Sequence, residues 1–201
     1  MAGDEGKLIV LEGIDGAGKT TIAKTLVNEL KRKGFNALYT YEPFDKELIS
    51  ILNKKGSVLG GIFEALIMAA DRYNHIECLV KPALQAGTIV VMDRYYYSSL
   101  AYQGAHGVSL EWIRTLNNFA LRPDLAIYLD VPEEVGLQRK KRSTTRIPYL
   151  ESSKDFVRRV REIYLDLVRS GELILVDGTQ DLSKVVLECK KLLCSKLSLL
   201  C

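Results

Sequence analysis

The chain has 201 residues, a length that fits one domain, and its 47% hydrophobic and 26% charged residues can bury a core without staples. The formal net charge of +3 is too small to imply a nucleic-acid partner, though it suits a binder of small anions. No apolar run is long enough to span a bilayer, and the first residues lack an apolar signal core, so the expected location is the cytoplasm.

Elements follow in alternation. Residues 7–11 form a short apolar run, read as a buried strand. A helix is expected from Lys19 to about Lys33, stopped by Gly34. Residues 36–40 read as the second strand, and Asp45 can cap a short helix running to about Lys54. Residues 58–70 carry one charge, Glu64, so a helix there is apolar nearly all round and should be buried on more than one side. One side can face the sheet, and the other either a second subunit or the interior of a monomer. Residues 88–92 give the third strand, 125–129 the fourth and 173–176 the fifth. One helix begins near Lys154 and the last near Leu182. Apolar strands separated by helices mean an α/β fold with a parallel sheet covered on both faces. The four cysteines, Cys78, Cys189, Cys194 and Cys201, lack C-x-x-C spacing and there are two histidines, which argues against zinc. They read as free thiols packed on helices in a reducing compartment.

Gly13-Ile14-Asp15-Gly16-Ala17-Gly18-Lys19-Thr20 matches G-x-x-x-x-G-K-T, the Walker A phosphate loop, and sits between a strand and a helix as that loop must. Glycines let backbone N–H groups curve around phosphate oxygens, and the helix that follows directs its positive end at the anion. Lys19 supplies a mobile cation and Thr20 a hydroxyl for magnesium. The third strand runs into Asp93-Arg94. A carboxylate at the C-terminal end of a neighbouring strand is where a magnesium-organising aspartate belongs, and the planar fork of Arg94 can grip a phosphate.

With these residues the chain resembles thymidylate kinases. Residues 12–21 look like that family's phosphate loop, including its aspartate. Residues 93–104 look like its signature, D-R-Y followed by S-x-x-A-Y-Q, and Arg122-Pro123-Asp124-Leu125 leading to Tyr128-Leu129-Asp130-Val131-Pro132 is similar to its fourth strand. The resemblance implies a P-loop NTPase three-layer sandwich. Its five-stranded parallel sheet has order 2-3-1-4-5 with flanking helices, in one kinase domain over 1–201 with a small lid at about 139–153. It implies phosphoryl transfer from ATP to dTMP with Mg2+, no nucleic-acid or membrane partner, and a homodimer formed through the apolar helix near 58–70. The loop residues Gly13, Ile14, Asp15, Gly16, Ala17, Gly18, Lys19, Thr20 and Thr21 would hold the ATP phosphates. Thr179 and Gln180 would border adenine, and Thr20 and Asp93 would hold the metal. Asp15 would accept the sugar 3′-hydroxyl and Arg94 would bind the acceptor phosphate. Arg72 would bond a thymine carbonyl, and Ser99 and Gln103 the base edge. Ser98 joins that substrate site, although both serines can equally cap the next helix. Tyr102 would press on the sugar, while Pro43 and Phe44 wall the pocket. Met68 stands where the family usually has a phenylalanine stacked on thymine, and a thioether shapes that slot less rigidly. An alternative for Arg72 is pairing with Glu77 or Asp71.

Some family members carry an arginine in the phosphate loop where this chain has Gly16, so the missing charge must come from elsewhere. The run from Arg139 to Arg146 holds five basic residues and no acid, and stands where the family has its lid. Arg142 and Arg146 are candidates for the cation over the transferred phosphoryl, and Arg139 for stacking on adenine. Arg158, Arg159 and Arg161 read as solvent-exposed or ion-paired. Three other functions remain open on these residues, and Met68 leaves room for the first, a kinase of another monophosphate such as dUMP or a ribonucleotide. A deoxynucleoside kinase would use Glu42 as base for a neutral 5′-hydroxyl. A GTP-dependent switch would need N-K-x-D, and Asn53-Lys54-Lys55-Gly56 lacks the aspartate.

Overall fold

β1 (Leu8–Glu12) is buried along its whole length, because it is the central strand of a five-stranded sheet. The structure is a computed structural model, described over residues 6–140 and 153–201. The remaining strands are β2 (Ala37–Tyr41), β3 (Ile89–Asp93), β4 (Leu125–Asp130) and β5 (Ile174–Asp177). All pairings are parallel and the order is β2-β3-β1-β4-β5, as the resemblance implied. Four of the five strands begin one residue later than the apolar runs suggested, and β4 begins where expected. All five also extend past the runs by a residue at the C-terminal end, and Glu12, Asp93, Asp130 and Asp177 close four of them. The register sets Leu11 beside Asp93 and Glu12 beside Tyr128, so the polar groups that close these strands gather at the C-terminal ends of the inner strands.

α1 (Lys19–Arg32) buries Ile22, Ala23, Leu26, Val27 and Leu30 at helical spacing against that sheet and ends at Lys33 before Gly34. Each of the Ile, Leu and Val side chains, fully buried, contributes about 1.5–3 kcal/mol. Chain order continues with α2 (Lys46–His75), a π-helical turn (Ile76–Val80), α3 (Lys81–Gln85), α4 (Tyr96–Ala105) and α5 (Leu110–Leu116). Then come α6 (Glu133–Lys140), α7 (Lys154–Arg169) and α8 (Leu182–Leu197). α7 buries Phe156, Val157, Val160, Tyr164 and Leu167, and its first turn is capped by Ser153 accepting from the Phe156 amide.

Three expectations are corrected here. The short helix capped by Asp45 does not stop near Lys54: it runs into the apolar segment as one element, α2, interrupted only at Gly60, whose φ of 74° and ψ of −170° suit glycine alone. Asp45 does cap it, accepting from the Glu47 and Leu48 amides. The segment 58–70 is also not enclosed within a monomer, the second of the two settings expected for its outer side. Glu64, Ala65, Met68 and Ala69 face inward, whereas Val58 is 82% and Ile62 60% exposed, with Leu59 and Leu66 beside them. The cysteines differ too: Cys194 on α8 and Cys201 form a disulfide, leaving Cys78 exposed and Cys189 buried as free thiols. Their separation of seven residues across the turn at Ser198 brings the Cα atoms to 4.8 Å, which spacing rules for metal motifs do not consider.

Candidate active site

The phosphate loop leaves the C-terminal end of β1 and enters α1. Lys19 Nζ donates to the carbonyls of Gly13 and Ile14, both at 3.0 Å, which tethers the ammonium to the loop. Burial pulls its pKa down and the Arg94 charge adds to this, while Asp93, Asp15 and Glu12 oppose it. Gly16 packs directly on Gly136 of α6: a Cβ on Gly16 would overlap the Gly136 carbonyl, and one on Gly136 would stand 2.8 Å from the Asp15 carbonyl and 2.6 Å from Ile14 Cδ1. The position without charge is therefore also one without room, because α6 lies against it. Thr21 faces solvent, and its carbonyl accepts from Thr25.

Thr20 Oγ1 donates to Asp93 Oδ2 at 2.5 Å, joining the start of α1 to the end of β3. Asp93 Oδ1 is buried and has no partner among the described residues. A hydroxyl beside a carboxylate with a spare buried oxygen is a fitting pair for a hard divalent cation that takes its other ligands from water and phosphate. Among the described residues no group of three acidic, histidine or cysteine side chains forms an all-protein metal cage.

Arg94 follows with φ 71°, a backbone position costly for a side chain of this size, of order 1–3 kcal/mol. Its amide donates to the Leu11 carbonyl at 3.0 Å. The guanidinium donates to Asp15, to Ser98 Oγ at 3.1 Å and to the Tyr102 hydroxyl at 3.2 Å, and lies over the Tyr102 ring at 5.0 Å. Burial would lower its pKa, yet Tyr102, Asp15, Tyr164 and Asp93 together carry it well above the ordinary value. What holds this turn is Glu12. Its carboxylate accepts from the Tyr95 and Ser98 amides, the Ser98 hydroxyl and the Tyr164 hydroxyl, at 2.6–3.1 Å. Burial raises the Glu12 carboxyl, opposed by those bonds and by Arg94. Glu12 stands in the quoted motif without a role; its signal was a charge at the end of an otherwise apolar strand.

A second group lies between α2 and α4. Arg72 is 0% exposed. It pairs with neither Glu77 nor Asp71 but with Glu42, whose Oε2 accepts from Nε at 3.0 Å and Nη2 at 2.7 Å. Nη2 also donates to Ser99 Oγ at 3.2 Å, and Nη1 to Asn117 Oδ1 at 2.5 Å. Asp71 instead accepts from the Phe44 and Asp45 amides. Phe44 stacks on His75 at 4.4 Å, following a cis Glu42–Pro43 peptide. Met68 is buried one turn before Arg72, and Ser99 and Gln103 share one face of α4. Ser98 faces Glu12 and Arg94, so the two serines serve different groups. Asn117 came from no sequence signal, since its contact is long-range.

At the same end of the sheet, past β5, Arg139 Nη1 donates to the Gly178 carbonyl at 3.0 Å, joining α6 to the turn after β5. In that turn Thr179 bonds Asp177, and Gln180 donates to Glu188. Arg161 forms a fork with Asp130 at 2.8 and 2.9 Å, and Arg158 pairs with Asp155, so both are ion-paired. Arg142 and Arg146 lie outside the described residues.

This sheet order, with a Walker A loop after its central strand and an aspartate after the next, defines a P-loop phosphotransferase of the nucleoside monophosphate kinase class. The family described as thymidylate kinase matches residues 11–188, and the chain belongs to that family. It is similar to a probable thymidylate kinase of Staphylothermus marinus, 47% identical over 193 residues that cover 96% of each chain. It is also similar to one of Pyrococcus abyssi, 45% identical over 90% of this chain and 92% of that one. A probable thymidylate kinase 1 of Saccharolobus solfataricus is 38% identical over 93% and 96% of the two chains.

Proposed function

We propose that the chain transfers the γ-phosphoryl group of ATP to dTMP, giving ADP and dTDP, from one kinase domain over 1–201 with a lid at about 139–153. The observation that carries this is the Asp15–Arg94 pair, which ties the donor loop to the anchor of the acceptor. Residues 13–21 hold the ATP phosphates, with Lys19 following the transferred group. Arg139, Thr179 and Gln180 border adenine, a reading supported by the bond from Arg139 to Gly178. Arg94 grips the acceptor phosphate. Asp15 and Tyr102 take the sugar, and Pro43, Phe44, Met68, Arg72, Ser99 and Gln103 the base, with Ser98 orienting Arg94.

The acceptor is a phosphate monoester with a second pKa of about 6, already a dianion at neutral pH. It needs in-line placement and cations rather than a base. Glu42 Oε2 is the counter-ion of Arg72 while its Oε1 has no partner among the described residues, so the alternative of a nucleoside 5′-hydroxyl acceptor is decided by the thymidine arm of the assay below. Thr20 and Asp93 would hold Mg2+, which supplies charge neutralisation on the phosphates. Arg142 and Arg146 supply further cations: Arg142→Ala and Arg146→Ala, made separately, should lower kcat in at least one case far more than ATP affinity. We further propose a homodimer through the exposed apolar face of α2 and a cytoplasmic location. Among the described residues no helix is long and apolar enough to cross a membrane.

A coupled assay of ADP release with dTMP, dUMP, thymidine and ribonucleoside monophosphates tests the reaction. Turnover should be highest with dTMP. Turnover with thymidine alone overturns the reading.

A further inference from the structure

Glu64 is the only charge in its stretch of α2, and it is 2% exposed. It stands two turns before Arg72 on the face that also carries Met68, so α2 presents Glu64, Met68 and Arg72 in line toward α4. Across from them α4 presents Ser99 and Gln103 at the same spacing. Arg72 meets Ser99, and Glu64 Oε2 accepts from Gln103 Nε2 at 3.4 Å.

The orientation of the Gln103 amide follows from elementary hydrogen-bond chemistry. A carboxylate only accepts, so the amide nitrogen must face Glu64 and the amide oxygen must face away. That oxygen, in a side chain 3% exposed, has no partner among the described residues. A buried acceptor of this kind calls for an incoming N–H. Glu64 is itself anchored: His106 Nδ1 lies 3.0 Å from Oε2, which makes Nδ1 the protonated nitrogen. The His106 ring packs on Phe156 at 4.5 Å, and it approaches α2 where Gly61 has no side chain, since a Cβ there would come within 2.9 Å of His106. None of Glu64, His106 and Gly61 has a part in phosphoryl transfer.

We infer that Glu64, anchored by His106, is a positioning residue for base choice, fixing the Gln103 amide so that its oxygen accepts from the N3–H of a 2,4-dioxopyrimidine. Arg72 completes the pattern. Its four bonds to Glu42, Asn117 and Ser99 leave one Nη1 N–H, a donor for the adjacent C4 carbonyl. Cytosine inverts both contacts, with an acceptor at N3 and a donor at C4, and would face donor against donor and acceptor against acceptor. The inference rests on the reading of the α2–α4 face as the pocket for the acceptor's base.

The test compares kcat/KM for dTMP and dCMP in the wild type, E64Q, E64D and Q103L, with Tm measured on each. Glutamine at 64 can offer Gln103 either an oxygen or an N–H, so the amide is free to reverse. E64Q should raise KM for dTMP with kcat nearly kept, and reduce the dTMP-over-dCMP preference by about tenfold or more. E64D retains an acceptor-only group and should keep most of the preference. A folded E64Q with the wild-type preference overturns the inference, as does an equal loss in E64D and E64Q. Should E64Q not fold, E64M removes the acceptor and carries the same expectation and the same overturning result. Q103L separates the two levels. If it too leaves the preference unchanged, the pocket itself has been misread; if it abolishes the preference while E64Q does not, only the role of Glu64 fails.

Discussion

Gly16 and Gly136 show how a single atom couples two parts of the site. Each backbone occupies the space of the other's Cβ. Gly136→Ala must push α6 away from Ile14 and the Asp15 carbonyl. It should lower Tm and reduce kcat more than tenfold, because displacement of reacting groups by about 1 Å costs on the order of a hundredfold; a steady-state assay and a melt on the same sample check both. Glu12 illustrates the electrostatic counterpart. Its folded carboxyl is raised by burial, so the folded chain binds that proton more tightly than the unfolded one. Stability from this group is full below the ordinary carboxylate range and is lost as pH rises through the raised value. E12Q loses acceptor capacity but no longer pays that charge penalty, so its Tm deficit against the wild type should shrink as pH rises from about 4 toward 7. A constant or widening deficit would contradict the shift. The cysteines give a simple count. Native protein should expose one reactive thiol, Cys78, since Cys189 is buried with its thiol pushed up to about 12. Denaturation should give two and reduction four, read by a chromogenic thiol reagent.

At the scale of elements, α2 carries two jobs on opposite faces. Gly60 lets one long helix change direction between its Asp45-capped start and the arm that holds Glu64, Met68 and Arg72. Nothing lies within 4 Å of a Cβ placed there, so Gly60→Ala tests the backbone alone. It should cost of order 1–3 kcal/mol, which for a chain of this size is about 2–4 °C in Tm per kcal/mol. The outward face holds Val58, Leu59, Ile62 and Leu66 together, an apolar patch larger than scattered surface residues. If it pairs two copies, Ile62→Glu should convert a dimer to a monomer in sedimentation; an unchanged mass removes this face as the interface. α4 is positioned differently: its first turn is held by the Glu12 carboxylate from another strand rather than by a side-chain cap of its own.

The whole molecule brings three distant stretches together at the C-terminal ends of the central strands. The loop after β1, the turn after β3 and the α6 base meet through Asp15–Arg94, Thr20–Asp93 and Gly16–Gly136. In the proposed reaction the donor and acceptor halves therefore share Asp15. Asp15→Ala should raise KM for dTMP several-fold more than KM for ATP, since the Arg94 fork loses its partner while the loop backbone persists. Equal increases would separate Asp15 from the acceptor half.

The strands, the phosphate loop and the Asp93-Arg94 pair were legible in the sequence because each depends on local features: an apolar run, glycines at fixed spacing, a carboxylate just past a strand; the order of the strands came only from the family resemblance. The same locality explains the Asp45 cap and the ends of α1. What the sequence could not decide were contacts closed over long separations. Arg72 finds Glu42 thirty residues away and Asn117 forty-five away, although nearer acids were available on its own helix. Glu12 reaches Tyr164 across 152 residues, and Gly16 owes its bareness to α6. Burial decided these pairings. A buried charge must be matched by whichever partners the fold brings within reach, and that set is fixed only when strands, helices and turns have packed.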